Sequence, residues 1–283
     1  MLDSIQMTKI SSSLLFEQIL MALGDQYSTQ ERKAIAFRCL DIGFGLSASD
    51  VVLGKEVESL ADWASRLHRM SSGEPLQYVM GAGFFLDRLF ALNPSTLIPR
   101  PETEELVLKI IPMIRPDSKV LDVGTGSGCI AISIALATGA ELSAWDVSSE
   151  AILTASQNAQ ALGARVEFCQ QDLFSWPQSH GQWDLIVSNP PYVMEKEKLD
   201  MHSHVLDFEP HGALFVPDED PLKFYVALAE FGMERLCAGG YLALEINQAF
   251  GEETRGLLIQ KGFSTVTLYP DFFGKDRMIL AQK

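Results

Sequence analysis

The stretch Val120-Leu-Asp-Val-Gly124-Thr-Gly126-Ser-Gly128 constrains this chain more than any other: a short apolar run meets three alternating glycines and continues into Cys129-Ile-Ala-Ile-Ser-Ile-Ala-Leu-Ala137. The pattern predicts a strand, a sharp turn and a helix. Glycine lets the main chain turn steeply and approach a bound molecule closely. In a doubly wound sheet the binding crevice lies at the carboxyl ends of the strands, so a ligand is expected on Gly124, Thr125, Gly126, Ser127 and Gly128. A dinucleotide fingerprint would require glycine at position 129, which is Cys129, and nicotinamide cofactors are disfavoured.

Beyond Ala137 the strand and helix patterns go on alternating. Leu142 to Trp145 reads as a strand, Ser149 to Leu162 as a helix with Ser149 as its N-cap, and Val166 to Cys169, Leu185 to Val187 and Tyr241 to Ile246 as further strands. That order favours a parallel sheet covered by helices on both faces. Thr265 to Leu268 and Met278 to Ala281 are separated by the turn-prone Pro270-Asp-Phe-Phe-Gly274 with no helix between them, which predicts an antiparallel strand at the end of the sheet.

Three further sites sit at predicted strand ends. Asp146 lies 22 residues past Gly124, where an acid accepts hydrogen bonds from both hydroxyls of a ribose. Asp172, in Gln170-Gln-Asp-Leu-Phe174, is placed to meet an adenine amino group, with Leu173 packing on the base. After Trp183-Asp-Leu-Ile-Val-Ser188 comes Asn189-Pro-Pro-Tyr192. Its two prolines direct the chain and withhold two N–H donors, the asparagine offers a carbonyl oxygen and the tyrosine a flat ring. This is a receptor for a planar amine or amide. The NH2 group would donate to the Asn189 side chain and the Pro190 carbonyl, with Pro191 directing the chain and Tyr192 packing against its flat face.

The first seventy residues have another character. Phe16, Ile19, Leu20 and Leu23 share a helical face, Ala34, Ala36, Phe37 and Leu40 do so less cleanly, and Leu60, Trp63, Ala64 and Leu67 do so in a third helix expected over Val57 to Met70. Ser71-Ser-Gly-Glu-Pro75 breaks the pattern, and Leu76 to Leu97 reads as short extended segments. The expected division is a helical domain over 1–72, an extended or hairpin connector over 73–97 and an α/β domain over 98–283. With 22 basic and 37 acidic residues the net charge is −15, which repels a phosphate backbone and argues against direct nucleic-acid binding. The acidic start, Met1-Leu-Asp-Ser-Ile-Gln, is unlike a signal peptide, the longest apolar run is too short to span a bilayer, and a cytoplasmic location without membrane attachment is expected. Cys39, Cys129, Cys169 and Cys237 show no metal-ligand spacing and are expected to be reduced core thiols. His202 and His204 lack further spaced ligands, so no metal is assigned.

The ordered set Gly124 to Gly128, Asp146, Asp172 and Asn189-Pro-Pro-Tyr192 resembles the class I S-adenosylmethionine-dependent methyltransferases, and the tetrapeptide resembles their amino-methylating members. Five more segments narrow the likeness: Gly73-Glu-Pro-Leu-Gln-Tyr-Val-Met-Gly81, Leu97-Ile-Pro-Arg-Pro-Glu-Thr-Glu104, Glu209-Pro-His-Gly-Ala-Leu214, Gly239-Gly-Tyr-Leu-Ala-Leu-Glu-Ile246 and Gly274-Lys-Asp-Arg277. Together they resemble the peptide chain release factor N5-glutamine methyltransferases over residues 70 to 283. Asn247 stands where that family usually has glycine.

The resemblance implies a Rossmann-like sheet, mostly parallel with its last strand antiparallel, beside a small helical domain that docks the protein substrate. It implies S-adenosylmethionine bound over 98–283 by Gly124 to Gly128, Asp146, Asp172, Leu173 and Asn189, and S-adenosylhomocysteine as product. The acceptor would be the glutamine of the Gly-Gly-Gln tripeptide in class I release factors, held by Asn189, Pro190, Pro191 and Tyr192, with Asn189, Pro190 and Tyr192 as the catalytic set. These motifs contain no general base, and proton loss is expected to follow transfer. Adenine and guanine amino groups present the same planar NH2, so a nucleic-acid amino methyltransferase is the alternative; the acidic Glu195-Lys-Glu-Lys-Leu-Asp200 beside the motif weighs against it.

Overall fold

The computed structural model describes residues 9–25, 27–176 and 181–283; the acidic start, Met1 to Gln6, lies outside them. The chain forms two compact units. One runs to Phe84 and takes in His202–Phe208; the other comprises Phe85–Met201 and Glu209–Lys283. The division falls inside the expected 73–97 connector, because residues up to Phe84 pack with the first unit's own core.

In the first unit, β1 (Lys9–Ser11) is followed by α1 (Ser12–Leu23), α2 (Thr29–Phe44), α3 (Ala48–Val52), β2 (Glu56–Glu58), α4 (Trp63–Ser71) and α5 (Leu76–Met80). Serines start three of the helices: the Ser11, Ser28 and Ser47 side chains each accept an N–H from the first turn, and at Ser28 and Ser47 an acid returns the bond. Leu15, Ile19, Leu23, Leu40 and Trp63 form the core. The helix expected over Val57 to Met70 begins only at Trp63, because Val57 pairs instead with Ile10 in an antiparallel β1–β2 ladder. Leu76–Met80, expected to be extended, is helical. A single turn is too short to display a period, and the Arg66 and Arg69 guanidiniums donate to its last carbonyls, Val79 O at 2.6 Å and Tyr78 O at 3.0 Å.

β3 (Ala82–Phe85) and β4 (Arg88–Ala91) form a two-stranded sheet. Its turn places Leu86 and Asp87 at φ 45° and 59°, and the Leu86 N–H donates to Glu104 Oε1 at 2.8 Å. The second unit continues with α6 (Pro101–Ile110), β5 (Lys119–Val123), α7 (Cys129–Thr138), β6 (Glu141–Asp146), α8 (Ser149–Leu162), β7 (Glu167–Gln170), β8 (Trp183–Ser188) and β9 (Val193–Met194). The short α9 (Ser203–Phe208) belongs to the first unit, after which come β10 (Phe215–Val216), α10 (Lys223–Arg235), β11 (Leu236–Glu245), α11 (Gly251–Lys261), β12 (Thr265–Pro270) and β13 (Asp276–Gln282). Helix α8 is capped by Ser148, whose side chain accepts the Ala151 N–H, rather than by Ser149.

The seven-stranded sheet has the order β12-β13-β11-β8-β5-β6-β7. All its pairings are parallel except those of β13, which is antiparallel to both β11 and β12 and so lies one strand in from the edge. Consecutive residues of β5 go to opposite faces: Val120 packs with α6 and α7, Leu121 with α10. The chain moves outward from β5 through β6 to β7 and then returns to the other flank of β5 as β8, which makes the β5–β8 junction the switch point of a doubly wound sheet. Among the described residues no helix is long and apolar enough to cross a membrane.

Candidate active site

Strand register alone gathers the predicted residues. Val123 is level with Trp145 on one side and with Ser188 on the other, and Asp146 is level with Gln170. Gly124, Asp146 and Asn189 therefore leave three adjacent strands at one end of the sheet, with Asp172 just beyond a fourth. A cavity of about 600 Å³ opens there, lined by Gly124, Thr125, Gly126, Ser127, Asp146, Asp172, Leu173, Asn189, Pro190 and Pro191. Gly128 and Tyr192 are not among its lining residues.

The glycine turn is built by backbone bonds. The Gly124 and Thr125 N–H groups both donate to Trp145 O, at 2.8 and 2.9 Å, and the Gly126 N–H donates to Asp146 Oδ2 at 2.9 Å. At Gly126 φ is 55° and nothing would crowd a Cβ, so the left-handed backbone is what requires glycine. Gly128 adds a packing reason: a Cβ there would lie 2.8 Å from Ile132 Cδ1 and 3.0 Å from Ala155 Cβ. Its part is to bring α7 against α8.

Asp146 is held from both sides, its Oδ1 accepting the Ser148 N–H at 2.9 Å. Burial raises its carboxyl above the ordinary value, against the pull of these N–H donors. Asp172 Oδ1 accepts the Phe174 N–H at 2.9 Å, which turns the chain so that buried Leu173 and half-exposed Phe174 both border the cavity. Phe224, from the start of α10, meets Phe174 with ring centroids 5.2 Å apart, and the Lys223 ammonium lies 4.8 Å from the Phe174 ring. Neither aromatic was singled out in the sequence, where nothing distinguished them from core residues.

Two of the family-like segments also meet at this cavity. Arg100 pairs with the buried Glu209 at 2.6 Å, and Glu209 Oε2 accepts the Ile98 N–H at 3.3 Å. This joins Leu97, Pro99 and Arg100 to Pro210, Gly212 and Ala213 along one wall.

The Asn189 side chain is tied to two residues that the sequence did not mark as functional. Its Nδ2 donates to Thr103 Oγ1 at 3.0 Å, and Thr103 Oγ1 donates to Glu245 Oε2 at 2.6 Å. The Tyr192 hydroxyl donates to the other oxygen, Glu245 Oε1, at 2.9 Å. Thr103 and Glu245 are 3% and 1% exposed, so neither exchanges these partners freely with water. Burial raises the Glu245 carboxyl, opposed by both hydroxyls and by Arg277. Tyr192 is thus held by its hydroxyl and packs against the core on the α10 face of the sheet. Thr103 lies in the Pro99-to-Glu104 segment and Glu245 at the end of an apolar strand, and only their meeting in space discloses the network.

All four cysteines are free thiols; Cys39 and Cys129 are buried and pushed up to about 12 by burial, whereas Cys169 and Cys237 are half-buried rather than in the core. Cys129 borders the cavity as a neutral, inert thiol. The His202 and His204 rings stack with centroids 5.3 Å apart.

Residues 102–208 match the model of the methyltransferase small domain family. The chain is 44% identical to a release factor glutamine methyltransferase of Bacteroides thetaiotaomicron over 94% of its own length and 98% of the relative's. It is 39% identical to a protein of the same description from Flavobacterium psychrophilum, over 93% and 95% of the two chains. A crystal structure of a methyltransferase from Pyrococcus furiosus superposes with a TM-score of 0.51 at 20% identity, over 68% of this chain and 87% of that one, a likeness of fold.

Proposed function

This chain belongs to the release factor glutamine methyltransferases, and from that premise we propose that Asn189 and the Pro190 carbonyl receive the acceptor glutamine of the Gly-Gly-Gln tripeptide in a class I peptide chain release factor. The reaction is transfer of one methyl group to the N5 nitrogen of that glutamine. When bound, S-adenosylmethionine supplies an electrophilic methyl carbon on a sulfonium and departs as S-adenosylhomocysteine. The donor set fits a nucleoside-bearing sulfonium of this kind: a turn of bare backbone at Gly124 and Gly126, the Thr125 and Ser127 hydroxyls, the Asp146 carboxylate for ribose, and Asp172 with Leu173 for the base.

The observation that carries this reading is that Asn189, Pro190 and Pro191 line the same cavity as the glycine turn, Asp146 and Asp172. An amide nitrogen is a poor nucleophile, its lone pair being delocalised into the carbonyl. Asn189 Oδ1 and Pro190 O, by accepting the two amide hydrogens, would aim that nitrogen and favour the twisted geometry in which the lone pair is available. Orientation is then the main contribution to rate. The same carbonyl dipoles favour the positive charge that grows on the nitrogen, so they act more strongly in the transition state than before it. Tyr192, held at its hydroxyl by Glu245 and packed against the core rather than lining the cavity, would anchor the chain that carries Asn189, Pro190 and Pro191.

The first unit is assigned the docking of the release factor. It has a core of its own, and Met21, Val52 and Leu53 on it are exposed. A release factor acts in translation, which supports a cytoplasmic location, and the −15 charge supports recognition of protein rather than of bare nucleic acid.

Mass spectrometry of a class I release factor incubated with this protein and S-adenosylmethionine tests the reading. A gain of one methyl on the Gly-Gly-Gln glutamine, lost with Asn189→Ala, is expected. Methylation of that glutamine undiminished in Asn189→Ala would remove the role of the asparagine, and methylation of RNA or DNA in its place would move the acceptor to a base.

A further inference from the structure

A carboxamide is nearly symmetrical in shape and opposite in chemistry at its two ends. Turning the Asn189 side chain over would exchange a hydrogen-bond acceptor for a pair of donors at almost no steric cost. A donor end turned toward the acceptor amide would face that amide's own NH2 and could not orient it. Something must therefore select one of the two rotamers.

We propose that Thr103 and Glu245 are positioning residues that hold Asn189 with its oxygen toward the acceptor amide and, through the Tyr192 hydroxyl, fix the chain that follows the two prolines. The inference rests on the reading that Asn189 accepts a hydrogen bond from the acceptor glutamine. The selection works by proton counting. The two hydroxyls and Arg277 draw Glu245 toward the carboxylate against the rise that burial causes, and as a carboxylate it only accepts; both its oxygens are engaged, one by Thr103 at 2.6 Å and one by Tyr192 at 2.9 Å. The single Thr103 hydroxyl proton is thereby committed to Glu245, which leaves only lone pairs toward Asn189. Asn189 must then present Nδ2 to Thr103, the 3.0 Å bond observed, and its Oδ1 end is left for the cavity it lines. With Thr103 at 3% and Glu245 at 1% exposure, water does not offer Thr103 an alternative proton acceptor.

The three residues reach one point from distant parts of the sequence. Thr103 lies in the first turn of α6, Glu245 ends β11, and Asn189 follows β8, which pairs with β11 through Leu244 and Ser188. The first turn of α6 is held in turn by the Thr103 N–H, which donates to Arg100 O at 3.1 Å. Thr103 is therefore a rigid reference for the amide.

The test compares Thr103→Val, which keeps the shape and removes the hydroxyl, with Thr103→Ser, which keeps the hydroxyl, and with Glu245→Gln. Steady-state methylation of a class I release factor is measured beside cofactor affinity by calorimetry and Tm. Thr103→Val is expected to lower kcat about tenfold with cofactor Kd and release-factor KM changed less than about threefold, because orientation rather than binding is lost. Thr103→Ser should recover most of that loss. Glu245→Gln, which keeps one oxygen for Thr103, should fall between them. The Asn189 side-chain NH2 resonances, assigned by their absence in Asn189→Ala, should move in Thr103→Val and return in Thr103→Ser, a readout that needs no turnover. Wild-type kcat in Thr103→Val, or a parallel fall of kcat and cofactor affinity without rescue by serine, overturns the positioning role. Asn189→Ala run alongside separates the two ideas: if it is inactive while Thr103→Val is fully active, only the positioning inference fails, and if Asn189→Ala is itself active, the reading of Asn189 fails.

Discussion

The most consequential single residue that the motifs left unassigned is Asp122, in the middle of the strand that leads into the glycine turn. It is fully buried, with Oδ2 taking the Thr125 hydroxyl at 2.7 Å and the Ala131 N–H at 3.3 Å, and with no partner for Oδ1 among the described residues. Burial pushes its carboxyl from the ordinary 3.8 up to about 7; the two hydrogen bonds oppose that rise and the neighbouring Asp146 adds to it. The folded chain therefore holds a proton there that the unfolded chain has lost between about pH 4 and pH 7, and stability contributed through this group falls as pH rises across that interval. The penalty, complete above pH 7, is on the order of 4 kcal/mol. Asp122→Asn cannot ionise, so its unfolding free energy relative to the parent should improve steadily from pH 4 to pH 8 in urea titrations of the cofactor-free protein. A difference between the two that is the same at both ends of that range would mean that Asp122 has an ordinary pKa in the folded state.

Among elements, the loop after β11 shows how one substitution can tie the site together. Asn247, where the resembled family usually has glycine, caps the turn Gln248–Phe250 by accepting the Ala249 N–H at 2.9 Å, and its Nδ2 donates to Tyr192 O at 3.0 Å and to Glu197 Oε2 at 3.1 Å. The residue is 5% exposed, and its backbone N–H donates to the Tyr225 hydroxyl at 3.2 Å. Asn247→Gly loses little as a cap but leaves buried groups unpaired, so a destabilisation of about 2 kcal/mol is expected. On a chain of this size that corresponds to a Tm lower by roughly 3 °C, with release-factor kcat reduced because the backbone at Tyr192 loses a support. An unchanged Tm would show that the bonds to Tyr192 and Glu197 are replaced by water. The sequence carried the strands well because β5, β6 and β8 are buried on both faces and therefore read as apolar runs, and it carried Gly124, Asp146 and Asn189 because register brings strand ends together. It did not carry Thr103, Glu245 or Phe224. Their roles depend on which strands and helices become neighbours, and a threonine in a first helical turn or a glutamate at a strand end has an ordinary reason to be where it is. The helix expected from Val57 failed for the same cause, since pairing of Val57 with Ile10 is invisible to local periodicity.

At the scale of the whole molecule, chemistry and protein recognition are expected to separate along the chain. Every residue lining the cavity belongs to the second unit, and so do both hydrophobic clusters that flank its sheet. The first unit has an independent core and contributes none of the lining residues. A chain beginning at Ala82, which keeps the β3–β4 sheet whole, is a better dissection than one beginning at Gly73, because Val79 and Met80 are core residues of the first unit and would be left without their partners. That shortened chain should retain S-adenosylmethionine affinity within about threefold while its KM for the intact release factor rises by at least about tenfold, the loss of remote binding energy appearing in KM rather than in the cofactor site. A short peptide carrying Gly-Gly-Gln, which has nothing to offer a docking unit, should be methylated equally well by the full and shortened chains. If the shortened chain binds cofactor normally and also keeps its KM for the release factor, recognition resides wholly in the second unit and the helical unit has no docking role. If both peptide and protein fail together while cofactor still binds, the first unit shapes the acceptor site itself.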